Sequence, residues 1–251
     1  MDGNFIEKLQ KYQKSIEDWR NFIKDKRGTE FNKEQNTTVK IVNPLLEMLG
    51  WELRSKDVEF EYHLKDKKHG TRHVDIALYL SDMDPKRPKI VVEVKPMPKI
   101  NQFDIKGPTH QIFRDYLRAN KVAYGILTNG MELIVFTGRF VRHDSKRARA
   151  LFRLKLEDFI EFSDVLWLLS KEMIENGTFD ELMEIFQSGD KYWRSWFFPQ
   201  RDMIKHKKFH ELAKIHKNKT EEYWKERTGS KELNEYILPL VFAKKFLERR
   251  N

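Results

Sequence analysis

The 251-residue sequence contains no cysteine. Disulfide bonds, cysteine-based zinc sites and thiol nucleophiles are therefore excluded, which fits a protein of a reducing compartment. No apolar run approaches the ~20 residues that a membrane-spanning helix needs, and residues 1–7 lack the basic and apolar regions of a signal peptide. We therefore expect a cytoplasmic protein. No P-loop of the form G-x-x-x-x-G-K-[ST] is present, so we expect no ATP-driven motor in this chain.

The charge balance is strongly positive, with 48 Lys and Arg against 39 Asp and Glu and a net charge of +9. A basic balance favours a polyanionic partner such as nucleic acid, and a well-solvated basic surface is the alternative. Residues 138–155 hold seven cations against one acid. This density predicts a loop that contacts DNA phosphates, with the candidates Arg139, Arg142, Lys146, Arg147 and Arg149. A solvated loop is the competing interpretation.

Two neighbouring apolar runs, residues 74–80 and 90–95, each carry an acid. Their period-two alternation predicts two strands, with Glu93 and Lys95 on one face. If the runs pair antiparallel through a loop near residues 81–87, Asp75 lies opposite Glu93. Facing carboxylates destabilise a strand pair, and a buried, unpaired carboxylate is costly. A divalent cation would compensate, and carboxylate, carbonyl and water oxygens suit Mg²⁺.

Asp75 followed by Glu93-Val94-Lys95 resembles the motif of the PD-(D/E)XK nuclease superfamily. The flanking sequences agree, since Glu34 precedes V-N-P-L-L-E-M-L-G-W at residues 42–51 and Y-G-I-L-T-N-G follows at residues 124–130. Together they are similar to the N-terminal nuclease domain of type I restriction enzyme R subunits and to standalone restriction-type endonucleases. The resemblance implies an α/β fold: a restriction-endonuclease-like mixed β-sheet flanked by helices.

The resemblance also implies Mg²⁺-dependent hydrolysis of DNA phosphodiester bonds, with Mn²⁺ as a substitute. Asp75, Glu93 and the Val94 carbonyl would bind the metal. Lys95 would orient or activate water and steady the scissile phosphate. Glu34 would complete the acidic cluster, directly or through water.

Other residues compete for places in this site. Glu34 heads a helical stripe that otherwise faces the core, so it is either a site acid or a helix-dipole partner, and Glu30 and Glu61 are the next acids to consider. Related nucleases often carry a Gln and a Tyr one helical turn apart after the motif. Here Gln111 and Tyr116 are five residues apart and point ~140° away from each other. Gln111 is therefore the candidate, with Gln102 as the alternative.

Local patterns predict the elements around the site. Residues 32–48 predict a helix, and Pro44 inside it predicts a kink or break near residues 42–43. Residues 58–64 predict the first strand, with Val58, Phe60 and Tyr62 on one face. Residues 65–72 form a basic turn, which either touches a phosphate backbone or is merely solvated. Asn129-Gly130 predicts a two-residue hairpin turn.

These patterns divide the chain into three predicted segments. Residues 1–28 are a helix that packs on the core, residues 29–156 are the nuclease-like domain, and residues 157–251 are a helical, basic region. The alternative function is a non-cleaving nucleic-acid-binding module, or a subunit of a defence complex, that keeps the nuclease fold. The expected partner is DNA, with a second copy of the chain or a separate motor or specificity subunit as further partners.

Overall fold

A computed structural model describes residues 3–24, 33–66, 70–80, 87–97, 117, 122–137 and 150–181. Six strands in these residues form one sheet in the sequential order β1 to β6. β3 and β4 pair in parallel, whereas every other neighbouring pair is antiparallel. The strands are β1 (Val58–Asp66), β2 (Gly70–Leu78), β3 (Ile90–Val94), β4 (Tyr124–Thr128), β5 (Glu132–Thr137) and β6 (Ala150–Lys155). This mixed sheet with flanking helices confirms the predicted restriction-endonuclease-like α/β fold.

Helices precede and follow the sheet in the described part of the chain. They are α1 (Gly3–Lys24), α2 (Glu34–Thr37), α3 (Asn43–Met48), α4 (Ser163–Trp167) and α5 (Lys171–Glu175), with a short 3₁₀ turn at Leu156–Asp158. None of these helices is long and apolar enough to cross a membrane. The residues beyond 181, which belong to the predicted helical region, lie outside the described residues.

The kink or break that the sequence predicts near residues 42–43 falls where the helix changes type. α2 continues into a π-helical segment, Thr38–Val42, and this segment continues into α3 with Pro44 in its first turn. The backbone N–H of Asn43 donates to the carbonyl of Thr38, five residues back. Proline has no N–H and crowds the preceding turn, and the wider π turn accommodates this without ending the helix.

One face of the sheet packs against α1, α3 and the segment that follows β6. We call this the first core. Its sheet residues include Ile76 and Val92, and its outer layer includes Leu9 of α1 and Phe159, all fully buried. The first core continues to Phe179, beyond the predicted boundary at residue 156. Partly buried hydrogen bonds reinforce this packing, since both Lys89 and Tyr124 donate to the Asp180 carboxylate.

The opposite face packs into a smaller second core. Its sheet residues are Val74, Ala77, Val91, Leu127, Ile134 and Phe136, and Tyr79 joins them directly after β2. The parallel pairing of β3 with β4 requires a crossover connection, and Leu117 from that connection is fully buried in the second core. The two cores therefore cover both faces of the central strands.

The predicted alternation of β1 fails at Glu61, which has a φ of +54°. Val58 packs in the first core, Phe60 is 41% exposed, and Tyr62 packs against the second core. The pairing of β1 with β2 skips Glu61, which lies at the level of Asp75. β2 changes from one core to the other at the same level, because Ile76 packs in the first core and Val74 in the second. A left-handed residue in a strand rotates the chain locally, so the β1–β2 hairpin turns at the level of Asp75.

A turn at residues 129–131 joins β4 to β5, where the sequence predicts a hairpin. It is not the predicted two-residue Asn-Gly turn, because Asn129 lacks the positive φ which that turn requires. The Asn129 side-chain oxygen accepts hydrogen bonds from the N–H groups of Met131 and Glu132, at 3.0 and 2.9 Å. Gly130 has a φ of +82°, and a Cβ at this position would lie 2.0 Å from Cγ2 of Ile41. Only glycine fits both the positive φ and the close contact with Ile41. This turn therefore fixes where the helical segment that carries Ile41 approaches the sheet.

Candidate active site

Asp75 and Glu93 lie opposite each other at the point where β2 and β3 separate. The two strands pair from Leu78↔Ile90 to Ile76↔Val92, and one further step of this register joins Asp75 to Glu93. Beyond that point the N–H of Val94 donates to the carboxylate of Asp75, at 2.6 Å, rather than to a β2 carbonyl. β3 meanwhile stays paired with β4, since the N–H of Lys95 donates to the carbonyl of Thr128 at 2.8 Å. The sheet therefore opens on the β2 side only, beside two carboxylates.

Lys95 connects the strand acids to the helix acid. Its Nζ lies 2.8 Å from Oε1 of Glu93 and 2.9 Å from Oε1 of Glu34. The Lys95 and Glu93 side chains are 25% and 20% exposed, whereas that of Glu34 is 43% exposed. The Lys95 ammonium group therefore lies between two carboxylates: Glu34 on its solvent side and Glu93 on the side of the sheet.

A buried threonine fixes α2 against the end of β3. Thr37 is fully buried, and its hydroxyl oxygen accepts a hydrogen bond from the N–H of Met97 at 3.1 Å. The hydroxyl of Thr38 donates to the carbonyl of Glu34 at 3.0 Å. Glu34 is the first residue of α2, so this tether to Met97 sets its distance from Lys95. The sequence pattern gave no indication of the role of Thr37.

The environment disfavours ionisation of both strand carboxylates. Burial raises the pKa of Glu93 to about 7; the ammonium of Lys95 opposes this rise, and the carboxylate of Asp75 adds to it. Burial also raises the pKa of Asp75, although the hydrogen bond from the Val94 N–H and the positive charge of Lys95 oppose this rise. Two carboxylates whose charges are this poorly compensated attract a cation.

Lys95 remains an ammonium group at neutral pH in this arrangement. Burial lowers its pKa, but the carboxylates of Glu93 and Glu34 outweigh burial, and the net shift is upward. A lysine that keeps its proton cannot accept one from water.

The residues present fit one hard divalent cation. Asp75 and Glu93 supply two carboxylates, and Mg²⁺ is commonly held by one or two carboxylates together with substrate phosphate and water. With all three carboxylates ionised, as metal binding would require, they and the Lys95 ammonium carry a net charge of −2, which one divalent cation would neutralise. Among the described residues, no group of three or more His, Asp or Glu is arranged around a common point for a metal. In this structure Glu34 pairs with the ammonium group of Lys95.

The other candidates are either exposed or lie outside the described residues. Glu61 is exposed at the bend of β1. The remaining candidates lie outside the described residues: Glu30, Gln102, Gln111, Arg139, Arg142, Lys146, Arg147 and Arg149.

The fold and the opposed acids define the class as a restriction-endonuclease-like α/β domain. Residues 33–151 match the family model described as the type I restriction enzyme R protein N terminus. This segment therefore resembles the N-terminal domain of those R proteins, as predicted, and the match indicates a restriction-type nuclease domain. The matched segment begins one residue before Glu34 and includes Asp75, Glu93 and Lys95. No curated protein and no solved structure matches the chain.

Proposed function

We propose that this chain is a Mg²⁺-dependent endonuclease of restriction or defence type that hydrolyses phosphodiester bonds in DNA. The observation that carries the proposal is the meeting of Asp75, Glu93 and Lys95 where β2 leaves β3. The family match of residues 33–151 and the net charge of +9 support DNA as the substrate.

The metal would be held by the carboxylates of Asp75 and Glu93, with the Val94 carbonyl as the third protein ligand. When bound, the ion would lower the pKa of a water molecule and neutralise charge on the phosphate oxygens. The site lies at the end of the β2–β3 pairing, where these two interior strands of the sheet separate.

Lys95 would place its ammonium group against the scissile phosphate or the attacking water. Its Nζ has three N–H donors, and Glu93 and Glu34 accept from it in this structure. Held on both sides, the ammonium group is oriented before substrate arrives. Such preorganised charge stabilises a transition state without reorganisation during the reaction.

Cleavage of supercoiled plasmid tests this proposal. The wild-type chain is incubated with Mg²⁺, with Mn²⁺ and with EDTA, beside Asp75→Asn, Glu93→Gln and Glu47→Gln. Glu47 is exposed on α3 and serves as the matched control. We expect cleavage by the wild type and by Glu47→Gln with either metal, and none with EDTA or by the two site variants. DNA binding without cleavage under every condition would favour the non-cleaving module instead.

A further inference from the structure

Arg153 of β6 lies on the same row of the sheet as Glu93 of the candidate active site. The strand registers pair Glu93 with Leu127, then Leu127 with Ile134, and finally Ile134 with Arg153. This row crosses three intervals of about 4.8 Å between neighbouring strands, so the backbones at its two ends lie roughly 14 Å apart. Arg153 is therefore level with the site, on the strand that forms the far edge of the sheet.

Arg153 and Glu93 also project from the same face of the sheet. Successive side chains of a strand point to opposite faces. The residues on either side of Glu93 and of Arg153 pack in the first core: Val92, Val94, Phe152 and Leu154. Glu93 and Arg153 therefore both project from the face that carries the second core, and Lys155, two residues further along β6, does the same.

A buried acid holds the guanidinium group of Arg153. Oε1 of Glu132 accepts a hydrogen bond from Nε of Arg153 and also contacts its Nη2. The Glu132 side chain is only 3% exposed, whereas that of Arg153 is 27% exposed. Because Glu132 occupies the Nε edge of the guanidinium group, the edge formed by Nη1 and Nη2 is turned away from it. The two parallel N–H donors of that edge match a phosphate in geometry and charge.

We infer that Arg153, oriented by Glu132, and Lys155 bind backbone phosphates of the DNA whose cleavage is proposed above, and this inference rests on that proposed function. Duplex DNA carries one phosphate per about 1.7 Å of its axis. A duplex with its scissile phosphate at Asp75 and Glu93 therefore carries further phosphates at the distance of β6. A guanidinium group that is already oriented loses less conformational entropy when it binds one of them.

The salt dependence of DNA binding tests the inference with a charge-matched control. The β6 variant is Glu132→Gln, Arg153→Gln, Lys155→Gln; the control variant is Asp57→Asn, Lys171→Gln, Lys56→Gln. Each variant loses two cations and one acid, so the net charge of both changes from +9 to +8. Binding to a fluorescent duplex is measured in EDTA, so that no metal-dependent cleavage interferes.

The control removes a comparable ion pair at a different place. Nζ of Lys171 lies 2.7 Å from Oδ2 of Asp57, and the two side chains are 25% and 9% exposed. Asp57 precedes β1, whose first residue pairs with the last residue of β2, at the end of β2 away from Asp75. Both variants remove the acid together with its cation, so neither leaves a buried charge unpaired. We therefore expect both variants to fold, and thermal melts check this.

Each lost phosphate contact lowers the magnitude of the slope of log affinity against log salt by about 0.9. We expect the β6 variant to lose about 1.8, since two contacts are removed, and the control variant to remain close to the wild type. An ion pair that only joins β5 to β6 predicts equal slopes for the two variants. Equal slopes, or no duplex binding by the wild type, would overturn the inference.

Plasmid cleavage by Asp75→Asn separates the inference from the proposed function. A reduced slope for the β6 variant together with normal cleavage by Asp75→Asn refutes the proposed site alone. An unchanged slope for the β6 variant together with an inactive Asp75→Asn refutes the inference alone.

A single thiol gives an independent readout that keeps the Glu132–Arg153 ion pair intact, because the chain has no cysteine. Lys155→Cys carries a photo-cross-linker on β6, and Lys56→Cys carries it at an exposed position beside the control ion pair. We expect cross-linking to the duplex from position 155 and little from position 56. Equal yields from the two positions would also contradict the inference, even if the triple variant did not fold.

Discussion

The carboxylate of Asp75 accepts a hydrogen bond of 2.6 Å from the backbone N–H of Val94. In a continued β ladder a backbone carbonyl of β2 would take this place. The side chain therefore satisfies the N–H of a fully buried residue while the strands separate. One contact thus both ends the strand pairing and holds a carboxylate beside Glu93, which is the arrangement that a metal-binding site requires.

This contact predicts that two substitutions of Asp75 differ in stability although both abolish cleavage. Asp75→Asn keeps an oxygen acceptor for the Val94 N–H and removes a charge that repels Glu93. Asp75→Ala leaves a buried N–H without a partner, at a cost of about 1–3 kcal/mol. We expect the Asn variant to match or exceed the wild type in urea unfolding with EDTA and the Ala variant to be less stable. Equal stability of the two variants would refute the structural role of this bond.

Glu34→Gln is expected to separate activity from stability. The side chain is 43% exposed and holds Lys95 at 2.9 Å, so its loss disturbs the orientation of the ammonium group more than the fold. Loss of such a supporting contact typically lowers metal affinity or activity by about 10–100-fold. Cleavage rates against Mg²⁺ concentration, with thermal melts alongside, measure both effects. Curves for Glu34→Gln that overlap those of the exposed control Glu47→Gln would remove Glu34 from the site.

The stability of the metal-free chain is expected to depend on pH through Glu93. Its folded pKa is about 7, above the ordinary value of 4.5 that applies to the unfolded chain. The folded state therefore binds more protons between these values, and the stability contributed by this group is present below pH 4.5 and is lost as pH rises through about 7. In EDTA, the free energy of unfolding of the wild type should fall relative to Glu93→Gln from pH 5 to pH 8. A difference that is constant over this range would contradict the assigned environment of Glu93.

Two glycines with nearly equal φ allow a matched test of the β4–β5 turn. Gly130 and Gly177 have φ values of +82° and +78°, but a Cβ on Gly130 meets Ile41, whereas a Cβ on Gly177 meets nothing within 4 Å. Both Ala variants experience left-handed backbone strain, and Gly130→Ala also overpacks the core, which typically costs about 1–3 kcal/mol. We expect Gly130→Ala to be less stable by about that amount. Equal urea midpoints for the two variants would show that the segment around Ile41 shifts without a measurable loss of stability.

Sequence patterns predicted the parts of the fold that depend on local chemistry. The alternation around Asp75 and Glu93 predicted two antiparallel strands and, from them, the opposition of the two acids. Asn129-Gly130 predicted a turn because glycine tolerates a positive φ and an asparagine side chain accepts hydrogen bonds from the backbone of a turn. The family motif depends on such local features, which explains why it was recognisable from the sequence alone.

The features that the sequence did not predict depend on contacts between distant segments. Nothing in the spacing of β1 distinguishes Glu61 as the residue with a left-handed φ, so the change of core between Val58 and Tyr62 was missed. The bond from Met97 to Thr37 joins residues 60 positions apart. The boundary near residue 156 was placed where the strand pattern stops, whereas the first core continues through Phe179 because apolar faces there cover the sheet.

A calorimetric titration with Mg²⁺ tests most directly whether Asp75 and Glu93 form a metal site. The wild type is compared with Asp75→Asn, which keeps the acceptor for Val94 and therefore the local fold. We expect one bound ion per wild-type chain and binding at least about 10-fold weaker in the variant, because a charged ligand is lost. Identical affinity and stoichiometry for the two proteins would contradict a metal site at Asp75 and Glu93.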